Sequence, residues 1–392
     1  MKRVGADWPL RNAVLLSVAN ALGGASAATI MAAGALIGRD LASHASFATL
    51  PISLLIAGVA AGTLPAGYLA GRFGRRASFV AGALCGLASS LVGWVALARD
   101  SFALFCAATF LAGLYGAVVQ TYRFAAADGV SAALRPRAIA WVLGGGIAAG
   151  VIGPQVVRLT YDPSVASPFA GAFLVQAGLA LMALGVLLAF QPRPAAEGPV
   201  EAARSSQDAR PERRVLLPIL LGVVSYAVMN VLMTTAPLAM VDCGFTPSAA
   251  ALAVQWHILA MYAPSFVAGS LAARVGAARM AAAGFVVSLS AAGVFAAGLG
   301  SVHFVSGMVL LGLGWNLSFV GATSLLDTAI RGQDRTRLQS LNDFAIFGTM
   351  AVASFGGGGL LDRLSWTSLS VLAAPLLLAS AAAAWIASRK AR

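Results

Sequence analysis

Residues 191–214 read QPRPAAEGPVEAARSSQDARPERR, the one long polar stretch in a chain that otherwise consists of apolar runs. Its proline and charge content is typical of a flexible linker. On each side we count six runs of about 20 mostly apolar residues, the length that a helix needs to cross a bilayer. The runs lie at 11–37, 47–70, 77–98, 101–122, 137–160, 168–190, 215–240, 248–272, 279–299, 302–326, 338–361 and 366–388. The sequence therefore predicts an all-α polytopic membrane protein with twelve transmembrane helices: an N-terminal bundle over 1–190, a cytoplasmic linker over 191–214 and a C-terminal bundle over 215–392.

The composition excludes an ordinary soluble enzyme. Of the 392 residues, 59% are hydrophobic and only 10% are charged, whereas soluble domains carry about 25% charged residues. The first apolar run is too long for the core of a signal peptide, so we expect it to remain as a span. The three cysteines form no CxxC motif, and neither a disulfide framework nor a zinc ribbon is indicated.

The placement of the basic residues predicts the topology. If both termini are cytoplasmic, nearly all of the 26 Lys and Arg residues fall on the cytoplasmic side, as the positive-inside rule requires. The exceptions are Arg39, Arg99, Arg158 and Arg363. The net charge of +12 therefore indicates contact with anionic membrane lipid and no nucleic-acid partner.

Loop motifs recur in the two halves of the chain. Asp128 and the sequence Arg135-Pro-Arg137 precede the fifth span, and Asp327 and Arg335-Thr-Arg337 precede the eleventh. The loop after the second span reads GYLAGRFGRR over 67–76, and its decayed counterpart after the eighth reads GSLAARVG over 269–276. Two such six-span repeats resemble the major facilitator superfamily, whose loop signature GxxxDRxGRR is matched except that Gly71 replaces aspartate. The resemblance implies two pseudo-symmetric six-helix bundles with a substrate site near the membrane midplane.

The seventh and eighth spans carry candidate ligands for a soft metal ion. Met229 and Met233 lie four residues apart, as do His257 and Met261, so each pair shares one helix face. We expect all four side chains about 10–20 Å from the outer end of their spans. Thioethers and neutral imidazole select Cu(I), whereas harder cations prefer oxygen ligands. The alternative is that the methionines only fill gaps in the packing.

A facilitator-type chain with MxxxM in its seventh span and HxxxM in its eighth resembles the CcoA-type copper importers. This resemblance implies a secondary transporter of the bacterial inner membrane that imports copper, as Cu(I), for assembly of cbb3-type cytochrome c oxidase. Its metal-binding residues would be Met229, Met233, His257 and Met261, with copper as the substrate, no cofactor, and a monomeric protein. The family also uses cysteine thiols, and Met240 with Cys243 would then form a relay at the outer end of the path.

Other functions compete with copper import. The main rival is a proton-coupled exporter of a drug or another small organic molecule, although the first six spans contain no Asp or Glu in their interiors. In the second half, Asp343 lies within a span but near its cytoplasmic end. A sensor ranks third, because no signalling domain is appended. An enzyme is not expected, because neither paired carboxylates nor a Ser/His/Asp set occupies a suitable place.

Overall fold

The computed structural model describes residues 8–128, 130, 134–191, 213–330 and 335–390. Most of the linker predicted over 191–214 lies outside these residues, and so do the first seven residues of the predicted N-terminal bundle. Within the described ranges the chain is entirely helical, with fifteen α-helices and one short 3-10 helix over Ala45–Phe47.

The number of membrane spans agrees with the sequence. Eleven helical segments of the described chain are long and apolar enough to cross a membrane. The twelfth consists of two helices, Pro247–Tyr262 and Ser265–Val275, bent by 44° at a short break. The predicted all-α, multi-pass membrane fold is therefore confirmed, although the eighth span is broken where the sequence predicted one continuous helix over 248–272.

The chain forms two compact units, and the residues of the eighth span are divided between them. Unit 1 comprises Met1–Ala196 and Thr246–Gln255, and unit 2 comprises Glu197–Phe245 and Trp256–Arg392. The division of the chain into bundles over 1–190 and 215–392 stays a prediction, because the first part of the helix Pro247–Tyr262 groups with unit 1.

Unit 1 contains seven complete helices: α1 (Trp8–Leu41), α2 (Leu50–Phe73), α3 (Arg75–Ala98), α4 (Phe102–Gln120), α5 (Tyr122–Ala127), α6 (Arg135–Thr160) and α7 (Ala170–Leu188). Its core includes an aromatic group in which Phe79 contacts both Tyr122 and Phe190. Polar side chains join α1 to its neighbours, since Asn20 donates to the Val142 carbonyl of α6 over 2.7 Å. Long apolar helices thus pack through large rings and a few satisfied polar groups.

The remaining helices are α8 (Arg213–Asp242), α9 (Pro247–Tyr262), α10 (Ser265–Val275), α11 (Ala277–Ala297), α12 (Ser301–Ala329), α13 (Arg335–Arg363), α14 (Trp366–Leu372) and α15 (Ala374–Lys390). All belong to unit 2 except the first part of α9. Within unit 2, α11 packs along α12, and α8 packs against α12 and α13.

The repeated loop motif has the same backbone conformation in both halves. Gly74 separates α2 from α3 with a φ of 87°, and Gly276 separates α10 from α11 with a φ of 91°. Glycine adopts positive φ without the steric cost that a Cβ imposes. In unit 1 the adjoining Arg75 pairs with Asp128 at 2.5 Å, which ties the start of α3 to the end of α5. Because both side chains are partly exposed, this ion pair contributes little to stability.

Candidate functional site

The break in the eighth span is held by a side chain of α12. α9 ends at Tyr262 and α10 begins at Ser265, with Pro264 between them. Proline lacks a backbone N–H and clashes with the preceding helical turn, so a helix bends or ends there. The amide of Asn316 donates hydrogen bonds to the Met261 carbonyl over 2.7 Å and to the Ser265 hydroxyl over 2.6 Å. Asn316 therefore satisfies polar groups on both sides of the break.

α12 also approaches α8 and α9 closely. The Ser318 hydroxyl donates to the Gly314 carbonyl of its own helix over 2.8 Å, so the Ser225 hydroxyl of α8 donates to Ser318, at 2.7 Å. At Gly312 an added Cβ would lie 2.5 Å from the carbonyl oxygen of His257, so only glycine permits this approach of α12 to α9. These contacts hold α8 and α9 against one stretch of α12.

Four aromatic side chains form a connected group on these helices, which we call the aromatic cluster: Tyr226 of α8, Tyr262 of α9, and Trp315 and Phe319 of α12. Trp315 and Phe319 are stacked, with centroids 5.3 Å apart and planes 9° apart. Tyr226 meets both of them edge-on, at 5.0 and 4.8 Å. Tyr262 lies 6.2 Å from Trp315 at 72°. These are favourable geometries for rings with a negative face and a positive edge.

The aromatic cluster lies at the depth where transporters of this architecture bind substrates. Tyr226 and Trp315 each stand near the middle of a helix long enough to span the membrane, and Tyr262 ends the first half of the broken span. Trp315 is buried, whereas Tyr262 is 45% exposed. Substrate sites of secondary transporters typically lie near the bilayer midplane and involve interrupted helices. The aromatic cluster is therefore the candidate substrate site within unit 2.

Several polar atoms near the middle of these helices are buried without a hydrogen-bond partner among the described residues. They are Asn230 Oδ1, His257 Nε2, Trp315 Nε1 and Asn316 Oδ1. A buried polar atom without a partner costs about 1–3 kcal/mol, and such atoms are uncommon in proteins. This region therefore retains unused donor and acceptor capacity at membrane depth.

The four predicted metal ligands are buried in the packing of α8 and α9. Met229 and Met233 lie on α8, and His257 and Met261 lie on α9. Nδ1 of His257 lies 2.8 Å from the Met308 carbonyl; since a carbonyl only accepts, Nδ1 carries the proton and the ring joins α9 to α12. Among the described residues, no three His, Cys, Asp or Glu side chains are placed to hold one metal ion. A ligand role for these four residues stays a prediction.

The predicted outer relay consists of one buried and one exposed residue. Met240 is buried near the end of α8, while Cys243 follows that helix directly and is exposed. Cys243 borders a cavity of about 260 Å³ together with Asp242 and Trp366. Partial burial raises the pKa of the Cys243 thiol, and the Asp242 carboxylate raises it further, so the thiol stays protonated at neutral pH. This protonation disfavours a thiolate relay, and the roles of Met240 and Cys243 stay predictions.

A second cavity, of about 510 Å³, lies between α1 and α6 in unit 1. Its lining is mostly apolar and includes the exposed Trp141 and Arg137 of α6 beside Gly144. The Ser17 hydroxyl at its edge is already used, because it donates to the Trp141 carbonyl over 2.7 Å. This cavity offers one cation and one indole ring, and fewer aromatic contacts than the aromatic cluster in unit 2.

Sequence reasoning missed the aromatic cluster and the break beside it. One signal was present, because Trp315 and Phe319 lie four residues apart and therefore share a helix face. Pro264 within the eighth apolar run was a second signal, since it predicts a bend. The contacts of Tyr226 and Tyr262 with Trp315 carried no such signal, because they join residues far apart in the chain.

Comparison with known proteins bears directly on the function. The chain is 40% identical over 370 residues to the riboflavin transporter RfnT of Brucella anthropi, covering 94% of this chain and 93% of that protein. It is 29% identical over 397 residues to YdeG of Bacillus subtilis, an uncharacterized transporter of the facilitator type, covering 94% of this chain and 90% of that protein. Both relatives match nearly the whole chain, so the likeness is not confined to single motifs.

The prediction of copper import is wrong, because a relative that matches nearly the full length is a riboflavin transporter. The resemblance to CcoA-type importers depended on the short motifs around Met229 and His257. The structure gives a physical reason why these motifs do not establish copper binding. Buried methionines at helical spacing also pack as apolar side chains, and His257 has a hydrogen-bond partner in the Met308 carbonyl. The rival hypothesis, transport of a small organic molecule, is better supported.

The fold and a family profile identify the superfamily. The structure resembles that of a D-xylose–proton symporter, with a TM-score of 0.72 at 16% identity, covering 94% of this chain and 97% of that one. It also resembles that of the nucleoside transporter NupG, with a TM-score of 0.71 at 14% identity, covering 97% and 99% of the two chains. The profile of the Major Facilitator Superfamily matches residues 15–223. The chain therefore belongs to the Major Facilitator Superfamily.

Proposed function

We propose that this protein transports riboflavin across the membrane. The observation that carries the proposal is the 40% identity to a riboflavin transporter over 94% of this chain and 93% of the relative. Such coverage includes every helix that bears the candidate site.

The chemistry of the candidate site supports an uncharged aromatic substrate. The aromatic cluster offers ring faces and edges near the middle of the membrane helices, and none of its four members carries a charge. Riboflavin combines a planar, uncharged fused ring with a polar side chain, so such rings would bind it by stacking and burial. A charged solute would instead require a compensating charge at membrane depth.

The proposal also covers the membrane in which the protein acts, its oligomeric state and its orientation. It is a carrier and not an enzyme, as expected for a chain of this superfamily, and it acts in a bacterial inner membrane as a monomer. Both termini are cytoplasmic, because this orientation places nearly all Lys and Arg residues inside. Labelling tests the orientation: a single cysteine introduced within residues 195–210 is expected to resist a membrane-impermeant maleimide added to intact cells. Modification from outside would refute the orientation.

Uptake of riboflavin tests the proposed function. A bacterial strain that can neither synthesise nor import riboflavin is expected to grow on low riboflavin and accumulate flavin when it expresses this protein. The same strain carrying an empty vector is the control, and immunoblotting verifies expression in the membrane. If expressed protein in the membrane produces neither growth nor accumulation, and loaded vesicles show no riboflavin movement in either direction, riboflavin transport is wrong.

A further inference from the structure

The aromatic cluster combines a partly exposed ring with a buried hydrogen-bond donor that has no acceptor among the described residues. Tyr262 exposes 45% of its surface although it lies near the middle of a broken span. In the neighbouring Trp315 the ring nitrogen Nε1 is buried with no hydrogen-bond partner among the described residues. Buried indole N–H groups usually find an acceptor. An accessible ring and an unused donor thus lie side by side, with ring centroids 6.2 Å apart.

We propose that the aromatic cluster binds the fused ring of the flavin, with Tyr262 stacking on the ring and Trp315 donating its indole N–H to a ring carbonyl or nitrogen. The inference rests on the proposed function and adds the place and mode of binding. The isoalloxazine ring is planar and uncharged and carries carbonyl oxygens and ring nitrogens that accept hydrogen bonds. The ribityl chain has neither an aromatic face nor a carbonyl, so the cluster recognises the ring and not the chain.

The surrounding structure positions these two side chains for binding. Trp315 is held by stacking on Phe319 and by the edge contact with Tyr226, so its indole is fixed before the ligand arrives. Tyr262 is the last residue of α9 and its ring is partly exposed, so a ligand can reach the ring. A donor held in place before binding lowers the ordering cost of binding.

Polar side chains near the aromatic cluster are hydrogen-bonded within the protein. Asn316 uses its amide N–H groups on the break, and Ser225 and Ser318 bond to each other. The two serine hydroxyls are thus engaged with each other, whereas the indole N–H of Trp315 is buried with no acceptor among the described residues. Trp315 is therefore expected to determine which ring acceptors are tolerated.

Binding to the purified full-length protein tests the inference. The probes are riboflavin and lumiflavin, which has the same ring and lacks the ribityl chain, and the readout is quenching of flavin fluorescence on stacking. Tyr262→Leu removes the stacking ring and is expected to weaken binding of both probes about tenfold or more and to reduce quenching. Tyr262→Phe keeps the ring and is expected to bind within about threefold of the parent. Trp315→Phe keeps a ring but removes the donor, and a loss of about fivefold is expected.

Trp256 provides the matched control. It is an aromatic residue of the same helix with a similar exposure of 46%, and it is outside the aromatic cluster, so Trp256→Leu is expected to leave affinity and quenching unchanged. If the parent and Tyr262→Leu bind lumiflavin with equal affinity and quenching, the binding mode is wrong while riboflavin transport stands. If the folded parent binds neither probe and moves no riboflavin, the proposed function itself is wrong. Rescue by Tyr262→Phe separates loss of stacking from misfolding, which size-exclusion profiles of all variants also monitor.

Discussion

Asn316 shows how one side chain can stabilise a broken membrane helix. Its amide bonds the Met261 carbonyl and the Ser265 hydroxyl on the two sides of the break. Asn316→Leu keeps a similar volume but leaves the carbonyl without this donor, so we expect a loss of about 1–3 kcal/mol and a lower Tm in detergent. Ser290→Ala is the control, because that exposed hydroxyl bonds only within its own helix. An unchanged Tm for Asn316→Leu would contradict the assigned role.

The thiol of Cys243 reports the electrostatics of the end of α8. Partial burial and the Asp242 carboxylate both raise its pKa, which lowers the thiolate fraction at a given pH. Asp242→Asn removes a negative charge, so the pKa falls and alkylation by iodoacetamide at mildly alkaline pH is expected to be about twofold faster. The measurement uses a background with Cys85→Ser and Cys106→Ser. At a pH high enough to ionise the thiol in both proteins the rates should converge; equal rates at every pH would contradict the assignment.

At the scale of single residues, the sequence predicted where His257 lies but not its hydrogen-bond partner. The sequence predicts that His257 lies inside a span, where a buried imidazole costs free energy unless it has a partner. The partner, the Met308 carbonyl, lies on another helix, and the rotation of each helix about its axis cannot be derived from apolar runs. The sequence motif therefore favours a metal ligand. In the structure, one nitrogen of the imidazole is already used in the hydrogen bond from α9 to α12.

At the scale of elements, the close approach of α12 to α9 predicts a large effect of a small substitution. In Gly312→Ala the new Cβ would lie 2.5 Å from the His257 carbonyl oxygen, so backbone must move, at a cost of about 1–3 kcal/mol. Gly293→Ala in α11 is the matched control, because nothing lies within 4 Å of the added Cβ. Alanine there is expected to be neutral or stabilising by up to about 1 kcal/mol. Thermal unfolding of both variants measures the difference, and equal Tm values would contradict the close approach.

The spans themselves were predictable, because crossing a bilayer requires a long apolar run whatever the neighbouring helices are. The apolar run over 248–272 predicts a single helix and not the break at Pro264, since hydropathy is unaffected by the loss of one N–H. The aromatic cluster was missed for a related reason. Trp315 and Phe319 share a face by spacing, but Tyr226 and Tyr262 join them only through the packing of three helices.

For the whole molecule, similarity over the full length outweighs a motif of four residues. The MxxxM and HxxxM motifs comprise only four residues of the chain, and methionine is a common packing residue in helices, so the motifs alone do not identify a metal site. A relative that is 40% identical over 94% of the chain constrains nearly the whole sequence at once. The motif and the full-length similarity also imply different substrates, a soft cation and a flat organic ring respectively. Binding measurements on the whole protein distinguish the two.

Ligand-dependent stability of the intact protein gives this answer without a transport assay. A ligand that binds only the folded state stabilises it by RT ln(1 + [L]/Kd), about 2.7 kcal/mol when its concentration is a hundred times Kd. Riboflavin and lumiflavin are therefore expected to raise the Tm of the purified protein in a concentration-dependent way. Ribitol, which resembles the side chain of riboflavin and lacks the ring, should leave the Tm unchanged, and so should Cu(I) held in a soluble complex. Stabilisation by Cu(I) without stabilisation by either flavin would contradict a flavin site, since linkage requires the Tm to follow the ligand that the folded protein binds.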